Sequence, residues 1–427
     1  MSWGKGVMQL RFFLTLVAIL AGALFHRDGV GSDQKKLSLA PVPPAGGLKQ
    51  AEVGRNGVTL PGMDLEVSLS RKGAWGQVEY FSAMLEAPDS VLEISMPTSF
   101  QTRWIFDGKS EEWVEGFLKE RELPMMLEKR LLDRVIWYST PSEVTVSPPV
   151  EVLRELPSKA RAAIYATLGE SDRNPDQLEP EVIYGASVDD WLRDDGLREE
   201  LVAFVRACAY SRGGANVFAD KLALYSICNS DQERMKARRA MSRNPTIVAK
   251  LLLESGTPDV LSAYWGSGFR LKDTMPFLRS MSRTRGVDKL DIIHLLPSAM
   301  RRILYTFPNP AATRSGYLPD CHWTSLNFFN VEPLERLADP VQGSAYVHEH
   351  FEQVGGPYRL GDVLFLAHPE TGAAFHSCTY ICDDIVMTKN GRSPIQPWVL
   401  MKLDHVKLLY GLHFQTEVRG FRRKGIN

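Results

Sequence analysis

The sequence lacks an excess of charge of either sign: 50 Lys and Arg residues stand against 51 Asp and Glu, a formal net charge of −1. Such a chain has no overall basic field to draw it to nucleic acid or anionic lipid, and no nucleic-acid partner is expected. One local cluster, "RMKARRAMSR" at 234–243, has helical spacing and reads as a solvated helix face. Cysteine is scarce, with five residues: Cys208, Cys228, Cys321, Cys378 and Cys382. They show no two-by-two spacing of the kind zinc requires. "HEH" at 348–350 would splay its two histidines apart on a helix, so neither a metal nor a cofactor is expected. The odd count leaves at least one cysteine unpaired within a monomer. Cys378 and Cys382 lie four apart in an apparent strand, on one face but too distant to join easily. Long hydrophobic runs are missing too. The apolar run Phe12–Leu20 falls short of the ~20 residues that span a bilayer.

What is present begins at that run. Lys5 and Arg11 precede it and Ala21-Gly22-Ala23 follows, the layout of a secretory signal over residues 1–23. The mature chain is therefore expected to be extracytoplasmic, in the periplasm or cell envelope, and membrane-attached only if the signal stays uncleaved. No cysteine is placed there for a lipid anchor.

A length of 427 residues implies more than one core, and the texture of the chain indicates an α+β protein. Residues 24–55, rich in Gly, Pro, Lys and Gln, read as a flexible linker. Residues 56–149 read as a β-rich module, with "QVEYFSAMLEA", "SVLEISMP" and "TRWIFDG" as strands and two helices following, the first capped by Ser110. Residues 150–290 look mainly helical, "IVAKLLLESG" included. Residues 291–427 read as a helix followed by successive strands. Two pairs of segments echo each other at nearly the same offset: "LPSKARAAIY" with "LPSAMRRILY", and "GGANVFADKLALY" with "GGPYRLGDVLFLA". They suggest that the middle region is a degenerate copy of the C-terminal domain.

The chemistry concentrates in "YLPDCHWTSLNFFN", residues 317–330. Cys321 opens a candidate helix, and a helix N-terminus favours a thiolate. A nucleophile there would be partly exposed, its pKa lowered by the helix end and by a histidine. A buried small apolar residue is the competing reading. Among nine histidines, His376 stands out because it opens the apolar strand "HSCTYIC" just after a Gly-containing turn. Thr388 or Asn390, in "VMTKNG", is placed to orient its ring. Asp383-Asp384 reads as turn chemistry.

The order of these features resembles the NlpC-type cell-wall peptidases, a bacterial branch of the papain-like cysteine hydrolases. The resemblance rests on Asp320-Cys321 opening a helix, "GDVLFL" from Gly361, His376 beginning a strand, and a polar residue on the next strand. It covers about residues 296–410. It implies a papain-like C-terminal domain with a helix packed on an antiparallel sheet. It further implies amide-bond hydrolysis by Cys321 and His376, a substrate such as a peptidoglycan stem peptide, and no cofactor. Tyr305 takes the place of the family's upstream tyrosine. Asp320, His322 and Trp323 join it as candidate substrate-contact residues. The small Ser-Gly that follows the family cysteine is His322-Trp323 here, and the glycine-rich stretch after the tyrosine is "TFPNP". Those departures keep two rivals open: a non-catalytic envelope binding or scaffold protein on the same fold, and an acyltransferase using the same dyad.

Overall fold

The computed structural model describes residues 38–39 and 66–426, apart from 186, 194–195 and 412–414. The expected signal segment, and all of the expected linker except Ser38–Leu39, lie outside the described residues.

From Phe351 onward, short β-rich runs separated by glycine and aspartate build a seven-stranded sheet. Its strands are β1 (Ser38–Leu39), β2 (Phe351–Val354), β3 (Val363–Ala367), β4 (Ala373–Cys382), β5 (Ile385–Lys389), β6 (Trp398–Lys402) and β7 (Glu417–Arg423). Spatial order is β2-β7-β3-β4-β5-β6, with every neighbouring pair antiparallel. β1 runs parallel to β4, pairing Ser38 with Ala373 and Leu39 with Ala374. A strand therefore forms inside the stretch read as a flexible linker. It lies along β4 in a part of the strand that the β5 pairing does not reach.

The central strands are buried along both faces, as in "VLFLA" of β3. This is the pattern of a sheet covered on two sides. Each such Val, Leu or Phe contributes roughly 1.5–3 kcal/mol by leaving water. Three helices matter for the site. They are α1 (Cys321–Leu326), α2 (Pro340–His350) and α3 (Leu403–Gly411). The Gly-Asp before β3 has a packing role. A Cβ on Gly361, whose φ is +89°, would sit 2.0 Å from the Phe329 ring, so only glycine fits there. Asp362 is buried and held by Arg422 at 2.6 Å.

A β-bulge between Tyr380 and Cys382 shifts the side-chain alternation of β4. Cys378 therefore joins the apolar cluster of Leu364 and Val386, while Cys382 joins that of Ile381 and Met387. The expected shared face is corrected. All five cysteines are free and buried.

Two large cores do not follow the boundaries drawn at 149/150 and 290/291. One runs from Trp104 to Met241, crossing the first boundary. The other gathers Val78, Ile247 and Leu251 with the C-terminal sheet, crossing the second. The second crossing comes from a misread segment. "IVAKLLLESG" is largely strand, part of Asn244–Leu252, not helix. It pairs antiparallel with Val78–Leu85 and with Lys289–Asp291. A short apolar run cannot be told from a buried helix by periodicity alone. "SVLEISMP" errs the other way: Pro88 and Asp89 start a short helix, Asp89–Ser95. Ser110 caps its helix as expected, its hydroxyl accepting from the Trp113 amide at 3.3 Å.

Of the two echoes, the first falls on two helix starts, Ser158–Leu168 and Ser298–Ile303. The second does not match in structure. Lys221–Ser226 is helix where Val363–Ala367 is strand.

Candidate functional site

Asp320 shapes the start of α1. Its backbone is extended, and its Oδ1 accepts the Trp323 amide at 2.9 Å. Arg392 lies 3.4 Å from the other oxygen. This cap places Cys321 as the first residue of the helix. Trp398 Nε1 donates to Thr324 Oγ1 at 2.9 Å and anchors the helix on β6.

α1 rests on β4 through Ser377. The Ser377 hydroxyl donates to Ser325 Oγ at 3.2 Å. Its proton being used, Nδ1–H of His322 donates to Ser377 Oγ at 3.0 Å. The buried Nε2 of His322 is then a lone pair with no partner. His376 is the strand residue before Ser377. The Tyr410 ring of α3 stacks on it, with centroids 3.9 Å apart and planes 22° apart.

β4 and β5 part company beyond the Thr379–Met387 pair. At that divergence Thr388 bridges the strands. Its hydroxyl donates to the Ser377 carbonyl at 3.4 Å, and Nε2 of His376 lies 3.0 Å from the Thr388 Oγ1. Assigning the Thr388 proton to the Ser377 carbonyl puts the ring proton on Nε2 and the lone pair on Nδ1. That Nδ1 is buried and has no partner. Burial, then the neighbouring His322, holds His376 well below the usual histidine range. The ring is neutral, with its basic nitrogen unused.

Cys321 departs from expectation. It is fully buried, and its thiol is pushed up to about 12, first by burial and then by the Asp320 carboxylate. The Ser377 and His322 backbone amides and the Lys389 ammonium favour the thiolate but do not offset burial. The expected partly exposed, activated thiol is thus corrected: an N-terminal helix position does not overcome complete loss of solvent. His376 Nδ1, having no hydrogen-bond partner, is not joined to the sulfur.

The other anticipated residues divide. Thr388 orients His376; Asn390 does not, since its Nδ2 is 3.2 Å from the Met401 sulfur. Asp320, His322 and Trp323 lie on or beside α1, with His322 turned onto the sheet rather than into an open cleft. Tyr305 packs elsewhere. Its amide donates to the Trp398 carbonyl at 2.8 Å and its hydroxyl to the Ile247 carbonyl at 2.8 Å. Asp383 and Asp384 form the β4–β5 turn and pair with Arg71 and Lys402, as turn chemistry anticipates. Among the described residues, no group of three His, Cys, Asp or Glu side chains is placed to hold a metal.

No family model, curated protein or solved structure matches this chain. The site must be read from its own geometry.

Two residues escaped the sequence reading. Lys389 is completely buried at the end of β5. Its Nζ donates to the Gly391 and Ser393 carbonyls at 2.7 and 3.1 Å. Burial brings it down to about 7, against the pull of Asp320 and Cys321. A lysine in phase with the apolar positions of "IVMTK" was the available signal. Tyr410 gave no signal, because its role depends on where α3 packs. Among the described residues, no helix is long and apolar enough to cross a membrane.

Proposed function

We propose that residues 291–427 form a papain-like domain of the NlpC type, and that the protein is an exported cysteine hydrolase of amide bonds whose site is closed in this conformation. Peptidoglycan stem peptides are the proposed substrate, and the cell envelope the proposed location. The observation that carries this reading is the state of His376: neutral, its Nε2–H fixed by Thr388, its Nδ1 lone pair buried and unpaired. A histidine kept for packing alone is expected to satisfy both nitrogens, since an idle buried acceptor costs about 1–3 kcal/mol. A general base needs that lone pair free.

In the open form, Cys321 Sγ would attack the carbonyl carbon while its proton passes to His376 Nδ1. The departing amine takes that proton as the thioester forms. Water, deprotonated by the same nitrogen, then releases the acid and restores the thiol. The Cys321 backbone amide would contribute to the oxyanion hole. Acyl transfer differs only in the acceptor that replaces water. Opening requires α3 to lift Tyr410 from His376.

The second reading is a non-catalytic envelope binding or scaffold protein. It is favoured by the complete burial of Cys321 and a thiol at about 12. Incubating the purified protein with cell-wall fragments and identifying products by mass spectrometry separates the two. Cleavage that is lost in Cys321→Ser supports the hydrolase. Intact fragments retained on the protein support the binding protein.

A further inference from the structure

We propose that the cavity beside Gln177 is a binding site for a small carboxylate that carries one amide group, the chemistry of a peptide's C-terminal end or of an N-acylated amino acid. The cavity has a volume of about 250 Å³, below the roughly 300 Å³ at which drug-sized sites begin. It lies outside the C-terminal sheet, where residues 99–105, 173–177 and 219–222 meet. Most of its polar wall is already committed. Asn174 accepts from the Ile105 amide at 2.9 Å and donates to the Ile105 and Leu168 carbonyls at 2.8 and 2.9 Å. Asp220 is held by Arg161 and Tyr165, Asp176 by Lys221, and Arg173 by Glu143.

Two groups are left over. Gln177, on the short helix Pro175–Leu178, is only 4% exposed, and its side-chain amide makes no hydrogen bond within the described residues. That amide is not sealed. The Thr102 hydroxyl of the same wall is one that solvent does not reach, whereas the Gln177 amide keeps contact with solvent, and this cavity is the space the residue lines. Arg212 Nη1 donates to the Gln177 carbonyl at 2.8 Å and holds the segment in place. The second group is Arg103. It is exposed, lines the cavity, donates to Gln101 Oε1 at 3.1 Å, and pairs with no carboxylate of the described residues. With Arg173, Asp176 and Asp220 each paired, Arg103 leaves the wall with an unbalanced positive charge, which suits a carboxylate. A glutamine amide offers donors and an acceptor together. A ligand amide answers both, its N–H donating to Oε1 and its carbonyl accepting from Nε2. A second carboxylate would answer only the donors. Buried polar groups without partners call for a specific explanation, and such a ligand supplies one.

The test uses the full chain and three probes of nearly equal shape. They are N-acetylglycine, its ester analogue acetoxyacetate, which lacks the N–H, and N-acetylglycinamide, which lacks the charge. Affinities are measured by calorimetry. Contact is read on the Gln177 side-chain amide resonances, assigned from their absence in Gln177→Met. N-acetylglycine is expected to shift those resonances and to bind about tenfold or more tightly than acetoxyacetate. It should also bind about threefold or more tightly than N-acetylglycinamide. Gln177→Met should remove the first preference and Arg103→Gln the second. Gln177 has no side-chain hydrogen bond to lose and Arg103 is exposed, so the melting temperature should hold in both. Lengthening the acyl end, as in N-acetyl-triglycine, separates the two sources. Retained binding identifies a peptide end, lost binding a free acylated amino acid, and each upholds the site. The proposal is overturned if N-acetylglycine leaves the Gln177 resonances unmoved, if either analogue binds as tightly, or if the preferences survive the substitutions. Binding alone is read, so the outcome is independent of any hydrolysis by Cys321.

Discussion

If α3 closes the site, replacing Tyr410 should expose Cys321 to small reagents without loosening the rest of the protein. A thiol at about 12 is ionised in roughly one molecule in ten thousand at pH 8. Alkylation of native Cys321 must therefore be slow and proceed through an opened state. Tyr410→Ala removes a ring stacked on His376 at 3.9 Å. The residue is only partly buried, so we take about 2 kcal/mol for the lost contact rather than the 3–5 of a full core aromatic. If that contact holds α3 shut, the open population rises about 30-fold, and Cys321 alkylation rises with it. The assay is iodoacetamide labelling at pH 8 with each cysteine quantified by mass spectrometry. Cys208 and Cys228 lie in the other core and serve as internal controls. A Cys321 rate unchanged in Tyr410→Ala would refute the lid. So would an equal rise at Cys208 and Cys228, which would signify global destabilisation instead.

Other outcomes follow from the same geometry. Thr388→Val strips His376 of its remaining hydrogen bond and should cost about 1–3 kcal/mol in urea unfolding. His322 and His376 both titrate below the usual histidine value, so the unfolded chain binds more protons as pH falls from 7 to 5.5. Stability should drop across that window by up to ~1.4 kcal/mol per pH unit per histidine, with a shallower slope in His376→Asn. Lys389, brought down to about 7, acts above neutrality. Between pH 7 and 8.5 the unfolded lysine stays protonated while the folded one releases its proton, so stability should rise by up to ~2 kcal/mol and flatten in Lys389→Met. Arg161→Met should cost about 3–5 kcal/mol by thermal or urea unfolding, since it leaves the Asp220 carboxylate buried without the ion partner 3.1 Å away.

The C-terminal sheet was legible because its apolar runs are short and end at turn residues: "GDVLFL", "HSCTYIC" and "IVMTK" all become strands near where the pattern puts them. A helix opening at Cys321 and a partner for His376 at Thr388 or Asn390 were also expected, and the structure selects Thr388. Tertiary packing hid the rest. Asn244–Leu252 reads as a helix until its strand partner at Val78–Leu85 is known. Cys321 reads as an activated thiol until the bodies that exclude water from it are in place. The bulge after Tyr380 moves Cys382 to the other face, although no glycine or proline in β4 announces it. Local sequence thus marked the chemical groups of the site, while the solvation that sets their reactivity comes from segments remote along the chain.

The short parallel strand Ser38–Leu39 has a consequence for how the N-terminal region is handled. It covers β4 at Ala373–Ala374, two residues before His376. Two residues make few ladder hydrogen bonds, and such an element exchanges with solvent far more readily than the sheet beneath it. A protease that trims the chain beyond Leu39 would leave those β4 backbone groups unpaired, a vacant berth for an extended peptide from another molecule. Cleavage after residue 23 would keep the strand. The extent of N-terminal trimming is thus a variable in its own right, setting whether the edge next to the histidine is occupied by the protein's own chain or by a visitor.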